Sequence, residues 1–551
     1  MTDSASLFAT GNIPDAPRSD LPGLLAGLAA DLRAVGYTVD GVADFLGAAA
    51  SSALNRDQLI PALIAARQAV TADPAARALA AVVSLWLLAV PQPPEEIDAA
   101  LPGIRTAGLL ELGLAQLDDD GAVAAKADLR PYGWDANEDG SGGAELWVSS
   151  DLAAHQRAGV LRHDHVLGIG QASTTLVQTT IRRHTERALD LGTGCGIQTF
   201  HLLHHCEHVT ATDISERALA FTRFNLLLNA EALHLDPGNL DARVSLRLGS
   251  LLEPVEGERF GLVVSNPPFV ITPRSTGESA SEQFTYRDGG LPGDEIVASL
   301  VRSLSGVLAP GGTAQMLGNW EITAGTQWSE RPKSWLDGSG TDAWFIQREQ
   351  VGPELYAETW LQDASESRDR SHYQESYAAY LADFASREVE GIGFGMIWLR
   401  RPADAGNPVD AGNAAISRFE EITYPIEQPV GPHLGASVER ADWLAAHHLA
   451  EAHLVVAEDV TEERHQRPGA EHPGVILLRQ GAGLRRTNLL STELAGFVSA
   501  CDGELSVSQI IGALVALLGG GEDFDPQAFR AGLLGDVANL VRDGFLLPDG
   551  Q

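Results

Sequence analysis

The chain has 551 residues, 44% hydrophobic and 20% charged, an ordinary globular balance that excludes a disordered or fibrous polymer and, at about 150 residues per domain, predicts about three to four domains. Thirty-eight Lys and Arg against 74 Asp and Glu leave a formal charge of -36, which opposes non-specific attraction to nucleic acid or anionic lipid. The three scattered cysteines, Cys195, Cys206 and Cys501, suggest neither a disulfide framework nor a cysteine-based zinc cluster and point to a reducing cytoplasm.

Residues 1–11 carry no basic segment leading into an apolar core, and the longest apolar runs, such as 79–90, are too short for a bilayer. A soluble cytoplasmic protein without a membrane partner is expected. Residues 21–104 are Ala/Leu-rich with helical periodicity, as at Leu24, Leu25, Leu28 and Leu32 and again at Leu59, Leu63 and Ile64. The run from Pro94 through Leu109-Leu110-Glu111-Leu112-Gly113-Leu114 into Asp118-Asp119-Asp120-Gly121 predicts a helix followed by two short strands around a turn. That order is winged-helix-like and closes a helical N-terminal domain over residues 1–134. Three aspartates in the wing favour docking or substrate presentation over DNA binding. The Gly/Asp/Asn-rich stretch 135–143 reads as a linker.

From residue 145 to about 400, short apolar or β-branched runs alternate with helical segments. Candidate strands lie at 188–191, 208–212, 243–248, 262–265, 313–317 and 392–399. The alternation predicts an α/β domain on a doubly wound, mostly parallel sheet, spanning 145–430 and including a Gly/Pro/Asp/Asn loop at 404–413. Residues 431–551 form a mixed α/β appendix with helices at 494–501, 506–518 and 529–540 and a closing strand at 544–547. This second winged-helix-like element reads as a partner-binding module or a structural cap.

The first chemical signal is Leu189-Asp190-Leu191-Gly192-Thr193-Gly194-Cys195-Gly196, a strand entering a glycine-rich turn before a helix near Ile197. Such a turn lets backbone approach a ligand closely, and by itself it fits dinucleotide enzymes and S-adenosylmethionine enzymes alike. About twenty residues on, Thr212-Asp213-Ile214-Ser215 ends the next strand, placing a carboxylate where it can accept both hydroxyls of a ribose. Asp213 can also cap the helix that follows, which does not exclude the ribose role. The fourth strand, Phe260-Gly261-Leu262-Val263-Val264-Ser265, runs into Asn266-Pro267-Pro268-Phe269. Two prolines after an Asn fix a rigid turn at the carboxyl end of a parallel strand, where open α/β sheets bind ligands. There an amide oxygen and a carbonyl can accept from an NH2 group while an aromatic ring stacks on its plane. A dehydrogenase leaves this turn unexplained, and a non-catalytic cofactor sensor would not need it.

Together, Asp190 to Gly196, Asp213 and Asn266-Pro267-Pro268-Phe269 resemble the class I S-adenosylmethionine-dependent N-methyltransferases with an Asn-Pro-Pro-aromatic motif. These include the release-factor and ribosomal-protein glutamine methyltransferases and the guanine and adenine N-methyltransferases of ribosomal and transfer RNA. The resemblance covers residues 164–319 and implies a Rossmann-like class I methyltransferase domain. It also implies that Gly192, Thr193, Gly194 and Gly196 border the homocysteine part of S-adenosylmethionine, with Asp190 near its amino group and Asp213 on the ribose. Residues 166–174, ending in Ser173-Thr174, are similar to the segment that folds over the methionine end. Ser250 stands where many relatives carry an acidic residue toward the adenine. Asn266 and the Pro267 carbonyl would hold the target nitrogen, with Pro268 beside it and Phe269 stacked on its plane.

Phe269 in place of the Tyr usual in glutamine-modifying relatives leans toward an RNA base, and the net acidity leans toward a protein or peptide. The expected activity is therefore methyl transfer to a protein glutamine amide or related peptide nitrogen, with an RNA base as the alternative, and no metal is required. His201, His204, His205 and His208 follow helical spacing and are formally capable of binding zinc, although a helix behind the cofactor turn must spend that face on packing. Tyr286-Arg287-Asp288-Gly289-Gly290 lies close enough to the Pro-Pro turn for Arg287 to contact a substrate carboxylate or phosphate.

Overall fold

Uninterrupted apolar and β-branched runs form strands where both faces of a parallel sheet are covered by helices. In the computed structural model, which describes residues 7–549 apart from 57, 70–73, 136–142, 155, 158–160, 275–289, 364–369, 404–415 and 520–523, seven such strands share one sheet. They are β1 (Thr185–Leu191), β2 (Cys206–Asp213), β3 (Val244–Leu248), β4 (Phe260–Ser265), β5 (Leu308–Thr323), β6 (Asp342–Val351) and β7 (Val389–Arg400). Their spatial order is β3-β2-β1-β4-β5-β7-β6. The pairs from β3 to β5 are parallel, and β7 is antiparallel to both β5 and β6.

The chain starts at β1, moves outward to β3, then returns to β4 on the other side of β1. This reversal opens a crevice at the carboxyl ends of β1 and β4. The register pairs Leu191 with Ser265 and with Thr212, so the glycine turn, Asp213 and Asn266 leave the sheet side by side. All six expected strands are present; five are extended at one or both ends, and β3 starts one residue later than expected. β5 is 16 residues long and runs past the expected end at 317; there its polar Asn319 and Glu321 are paired by distant side chains: Asn319 Nδ2 donates to the Tyr356 hydroxyl at 3.0 Å and Arg387 Nη2 donates to Glu321 at 2.7 Å. Strand β6 was absent from the expected set. Its carboxylate Asp342 is held by Arg400 across the hairpin at 2.8 Å.

Contacts group residues 1–177 with 183–412 as one unit and 178–182 with 413–551 as another. In the first unit six helices from Pro22–Ala34 to Arg105–Leu112 precede a hairpin of Ala115–Leu117 and Val123–Ala125. Asp118 closes that hairpin by accepting the Asp120 and Ala122 N–H groups at 3.0 and 2.8 Å, the local bonding that favours Asp in turns. Strands Asp128–Trp134 and Ala144–Ser150 then pair antiparallel.

Two asparagines on helix Glu216–Leu228 and its cap join this pair to the α/β layer. Asn225 accepts Ser149 N–H at 2.8 Å and donates to the Ser149 and Cys195 carbonyls, both at 2.9 Å. Asn229 accepts Trp147 N–H at 2.9 Å and donates to the Trp147 carbonyl at 2.7 Å. Four helical residues rise about 6 Å and two strand residues about 6.7 Å, so an i, i+4 amide pair can bond the strand edge as a neighbouring strand would.

The second unit has its own core around Leu454, Phe497, Val537 and Phe545. Strand His453–Val456 pairs between Asp502–Ser506 and Leu546–Pro548, and Val460–His465, Val475–Gln480 and Thr487–Leu490 form another sheet. Helix Val507–Leu518 starts at a capping box of Ser506 and Gln509. Helices Thr492–Val498 and Pro526–Asp543 complete the unit. Among the described residues no helix is long and apolar enough to cross a membrane.

Candidate active site

A cavity of about 330 Å³ lies at the carboxyl ends of β1, β2 and β4. The 192–196 turn needs glycine for two different reasons. Gly194 has φ +59° and open space where a Cβ would stand, whereas at Gly196, with φ +95°, a Cβ would come within 3.3 Å of the Thr222 side chain. Both positions penalise an L side chain through φ; only the first offers its space to a ligand. Thr222 Oγ1 donates to the Gly194 carbonyl at 2.8 Å and holds the turn from behind.

Asp213 is bonded into the same turn. Its Oδ2 accepts Gly194 N–H at 3.0 Å and its Oδ1 accepts Ser215 N–H at 2.9 Å. Burial raises its carboxyl above the ordinary range, against the pull of the backbone N–H groups that favour the anion. Each oxygen keeps a further acceptor site. Asp190 is turned differently: its Oδ2 accepts from Thr193 Oγ1 at 2.7 Å, Thr199 Oγ1 at 2.6 Å and Thr199 N–H at 3.0 Å. Burial pushes this carboxyl up to about 6, with the threonine bonds opposing. Asp190 thus pins the turn from within the sheet.

On β4, Ser265 Oγ donates to the Leu191 carbonyl at 2.8 Å, tying the ends of β4 and β1 together. The next residue, Asn266, reaches the cavity wall with a buried Oδ1 that has no hydrogen-bond partner. Ser173 also lines the cavity, its carbonyl accepting from Gln198 Nε2 at 2.9 Å. The wall therefore gathers Ser173, Gly192, Thr193, Gly194, Asp213, Ser250, Asn266, Pro267 and Pro268. Asp190, Gly196 and Phe269 stand outside it: Phe269 packs edge-on against Trp360, with ring centroids 6.5 Å apart. Arg287 lies outside the described residues.

Among the wall residues not singled out from sequence are His165, Gln198, Ile214 and Leu251. Ile214, 58% exposed directly after Asp213, was legible as an apolar residue stranded at a strand end. Leu251, at φ +46°, carries no sequence signal because its strain is conformational. His165 sits 3.6 Å from Asp151, and burial pulls its imidazole below the ordinary value. Its segment is held by Asp151, which accepts Val166 N–H at 2.8 Å and binds Arg217. The histidines after the turn serve packing. His201 Nε2 meets the Tyr132 hydroxyl at 2.7 Å and its ring lies 4.0 Å from that of Trp134, and His204 meets the same indole edge-on. Among the described residues no three His, Cys, Asp or Glu side chains converge as metal ligands would.

With this geometry in view, residues 151–286 match the family model described as the methyltransferase small domain. Upstream of this segment, residues 34–126 match a domain of unknown function, DUF7059. The chain is 30% identical over 185 residues to a ribosomal protein uL3 glutamine methyltransferase of Bradyrhizobium diazoefficiens, covering 32% of this chain and 54% of that protein. It is 36% identical over 128 residues to a release factor glutamine methyltransferase of Moorella thermoacetica, covering 22% of this chain and 42% of that one. The chain thus spans about half the length of these relatives. A solved methyltransferase from Pyrococcus furiosus aligns with 44% of this chain and 90% of its own at 16% identity and a TM-score of 0.25. The segment that matches the methyltransferase small domain contains the glycine turn, Asp213 and Asn266; strands β5 to β7 lie beyond the matched residues.

Proposed function

We propose that this protein transfers the methyl group of S-adenosylmethionine to a planar nitrogen, and that the acceptor is the side-chain amide of a protein glutamine. The observation that carries this reading is the buried, unpartnered Asn266 Oδ1 in the same cavity wall as Asp213 and the glycine turn. A buried acceptor without a donor costs roughly 1–3 kcal/mol, and an incoming N–H relieves it.

The chain's own residues fit the cofactor. The cavity, about 330 Å³, falls in the range of roughly 300–1,000 Å³ that holds a ligand of this size, and the space beside Gly194 is open. Asp213 would hold the ribose hydroxyls through its remaining acceptor sites. Gly192, Thr193, Gly194 and Ser173 would border the amino-acid end, with Ser250 and Ile214 beside the base. When bound, S-adenosylmethionine supplies an electrophilic methyl group on a sulfonium.

Asn266 Oδ1 and the Pro267 carbonyl would accept from the two N–H groups of the amide, fixing its plane and aiming its nitrogen. The two prolines hold these acceptors in place before substrate arrives, so positioning does most of the work. No general base is needed beforehand, because the proton can pass to water after transfer. A protein acceptor is supported by the names of the relatives and by the charge of -36, which opposes RNA.

The test is transfer of radiolabelled methyl from S-adenosylmethionine into a cell extract, divided between protease and ribonuclease, with Asn266→Ala as control. Label removed by protease and absent with the variant is expected. Label removed by ribonuclease refutes the acceptor, and absence of transfer by the wild-type protein refutes the activity.

A further inference from the structure

We propose that Tyr356, together with Trp360 and Asn319, is a positioning device for the turn that holds the acceptor nitrogen; the inference rests on the function proposed above. The Asn-Pro-Pro-Phe turn is anchored at its start by Ser265, through the Leu191 carbonyl. Its exit, residues 269–271, depends on a helix far along the chain. Between β6 and β7 the chain inserts two helices, Pro353–Asp363 and Arg370–Ser386. Positions 356 and 360, four apart, lie on one face of the first helix, and that face meets the exit.

The contacts are consecutive. The Phe269 ring meets Trp360 edge-on at 78° with centroids 6.5 Å apart. Val270 and Ile271 are buried in one apolar cluster with Tyr356, Ala357, Leu361, Tyr380 and Phe384. Ile271 N–H donates to the Tyr356 hydroxyl at 2.8 Å. Asn319 Nδ2, on β5, donates to the same oxygen at 3.0 Å, and the Tyr356 ring stacks on Phe394 of β7 at 20° with centroids 5.7 Å apart. A hydroxyl with no exposure to solvent is thus fixed against two strands and offered to one backbone N–H of the exit.

The consequence concerns Phe269. Its ring is expected to stack on the acceptor, yet in this structure it belongs to the aromatic row Phe269, Trp360, Tyr356. The inserted helix therefore sets the ring's direction and, through Ile271, the path of the turn that carries Asn266 and Pro267. Neither Tyr356 nor Asn319 lines the cavity, so their removal should leave cofactor binding alone.

Tyr356→Phe deletes one oxygen and keeps the packing. In the full chain it should accelerate hydrogen exchange at the Ile271 amide at least tenfold while leaving the Gly194 and Ser215 amides protected. Affinity for S-adenosylmethionine should stay within twofold, and the single-turnover rate of transfer onto a pool of peptides bearing one glutamine each should fall at least tenfold. Trp360→Phe, which keeps an aromatic neighbour, should transfer within threefold of wild type, whereas Trp360→Ala should be as slow as Tyr356→Phe. Wild-type transfer that persists at full rate in Tyr356→Phe, or an unchanged Ile271 exchange rate, overturns this proposal alone. A wild-type protein that methylates no peptide overturns the function reading and this proposal with it.

Discussion

Asn225→Ala tests the joint between the N-terminal strands and the α/β layer. The side chain is fully buried and serves three backbone groups: Ser149 N–H, the Ser149 carbonyl and the Cys195 carbonyl. Truncation leaves all three without partners in a site water does not reach. At about 1–3 kcal/mol for each unsatisfied group, and allowing for local relaxation, the variant should lose about 3–5 kcal/mol, a large part of the roughly 5–15 kcal/mol typical of a folded domain. The assay is urea unfolding followed by circular dichroism and tryptophan fluorescence, comparing the transition of the first unit with wild type. Asn225→Asp is a useful companion: it keeps an acceptor for Ser149 N–H but turns a carboxylate oxygen toward two carbonyls, so it should be at least as destabilising. Asn229→Ala should also destabilise, but only Asn225→Ala should weaken S-adenosylmethionine binding markedly, because Cys195 belongs to the glycine turn. A loss below about 1 kcal/mol for Asn225→Ala would refute the reasoning, since satisfied buried bonds cannot be that cheap to remove.

Asp213→Ala should weaken S-adenosylmethionine binding at least tenfold by calorimetry, because charge-assisted hydrogen bonds worth about 1.5–3 kcal/mol are lost; unchanged affinity removes the ribose assignment. Asn266→Ala should leave that affinity nearly intact while methyl transfer collapses, so retained turnover speaks against its role. The Asp190 carboxyl, raised from 3.8 to about 6 in the folded state, binds its proton more tightly there than in the unfolded chain. Its contribution to stability therefore falls as pH rises from about 4 to about 6, by ~3 kcal/mol in all; Asp190→Asn should lack this component of the pH–stability profile, and an unaltered profile counts against the assignment. All three cysteines are buried and burial pushes each thiol up to about 12, so the native protein should react slowly with a disulfide reagent and release three equivalents promptly once denatured.

The strand ends were the most legible part of the sequence. Asp190, Asp213 and Asn266 each stand at or beside the end of a parallel strand, where open α/β sheets bind ligands. Polarity inside the sheet is not legible from sequence. Asn319, Glu321 and Asp342 look like loop residues by local pattern, and they enter strands because Tyr356, Arg387 and Arg400 reach them from 37, 66 and 58 positions away. A window that sees only neighbours cannot include such partners. Asp190 shows the same limit on a smaller scale: its place in a ligand-binding turn suggested an outward carboxylate, but Thr199, nine residues on, draws it inward. For Phe269 the deciding residue, Trp360, lies beyond strands β5 and β6.

The inserted helices also bear on how such a protein can change. They connect β6 to β7, which are neighbours in the sheet, and Val351 at the end of one strand is paired with Ile392 near the start of the other. Paired strands stand about 5 Å apart, so almost any connection closes the hairpin, and doubling its length costs only about 0.6 kcal/mol. The connection formed by residues 352–388 can therefore change in length without rewiring the sheet, provided that Tyr356 and Arg387 keep their bonds to Asn319 and Glu321. The helix proposed to aim the acceptor turn and the glycine turn itself thus lie in separate stretches of chain, and a lineage could revise the first while inheriting the second intact.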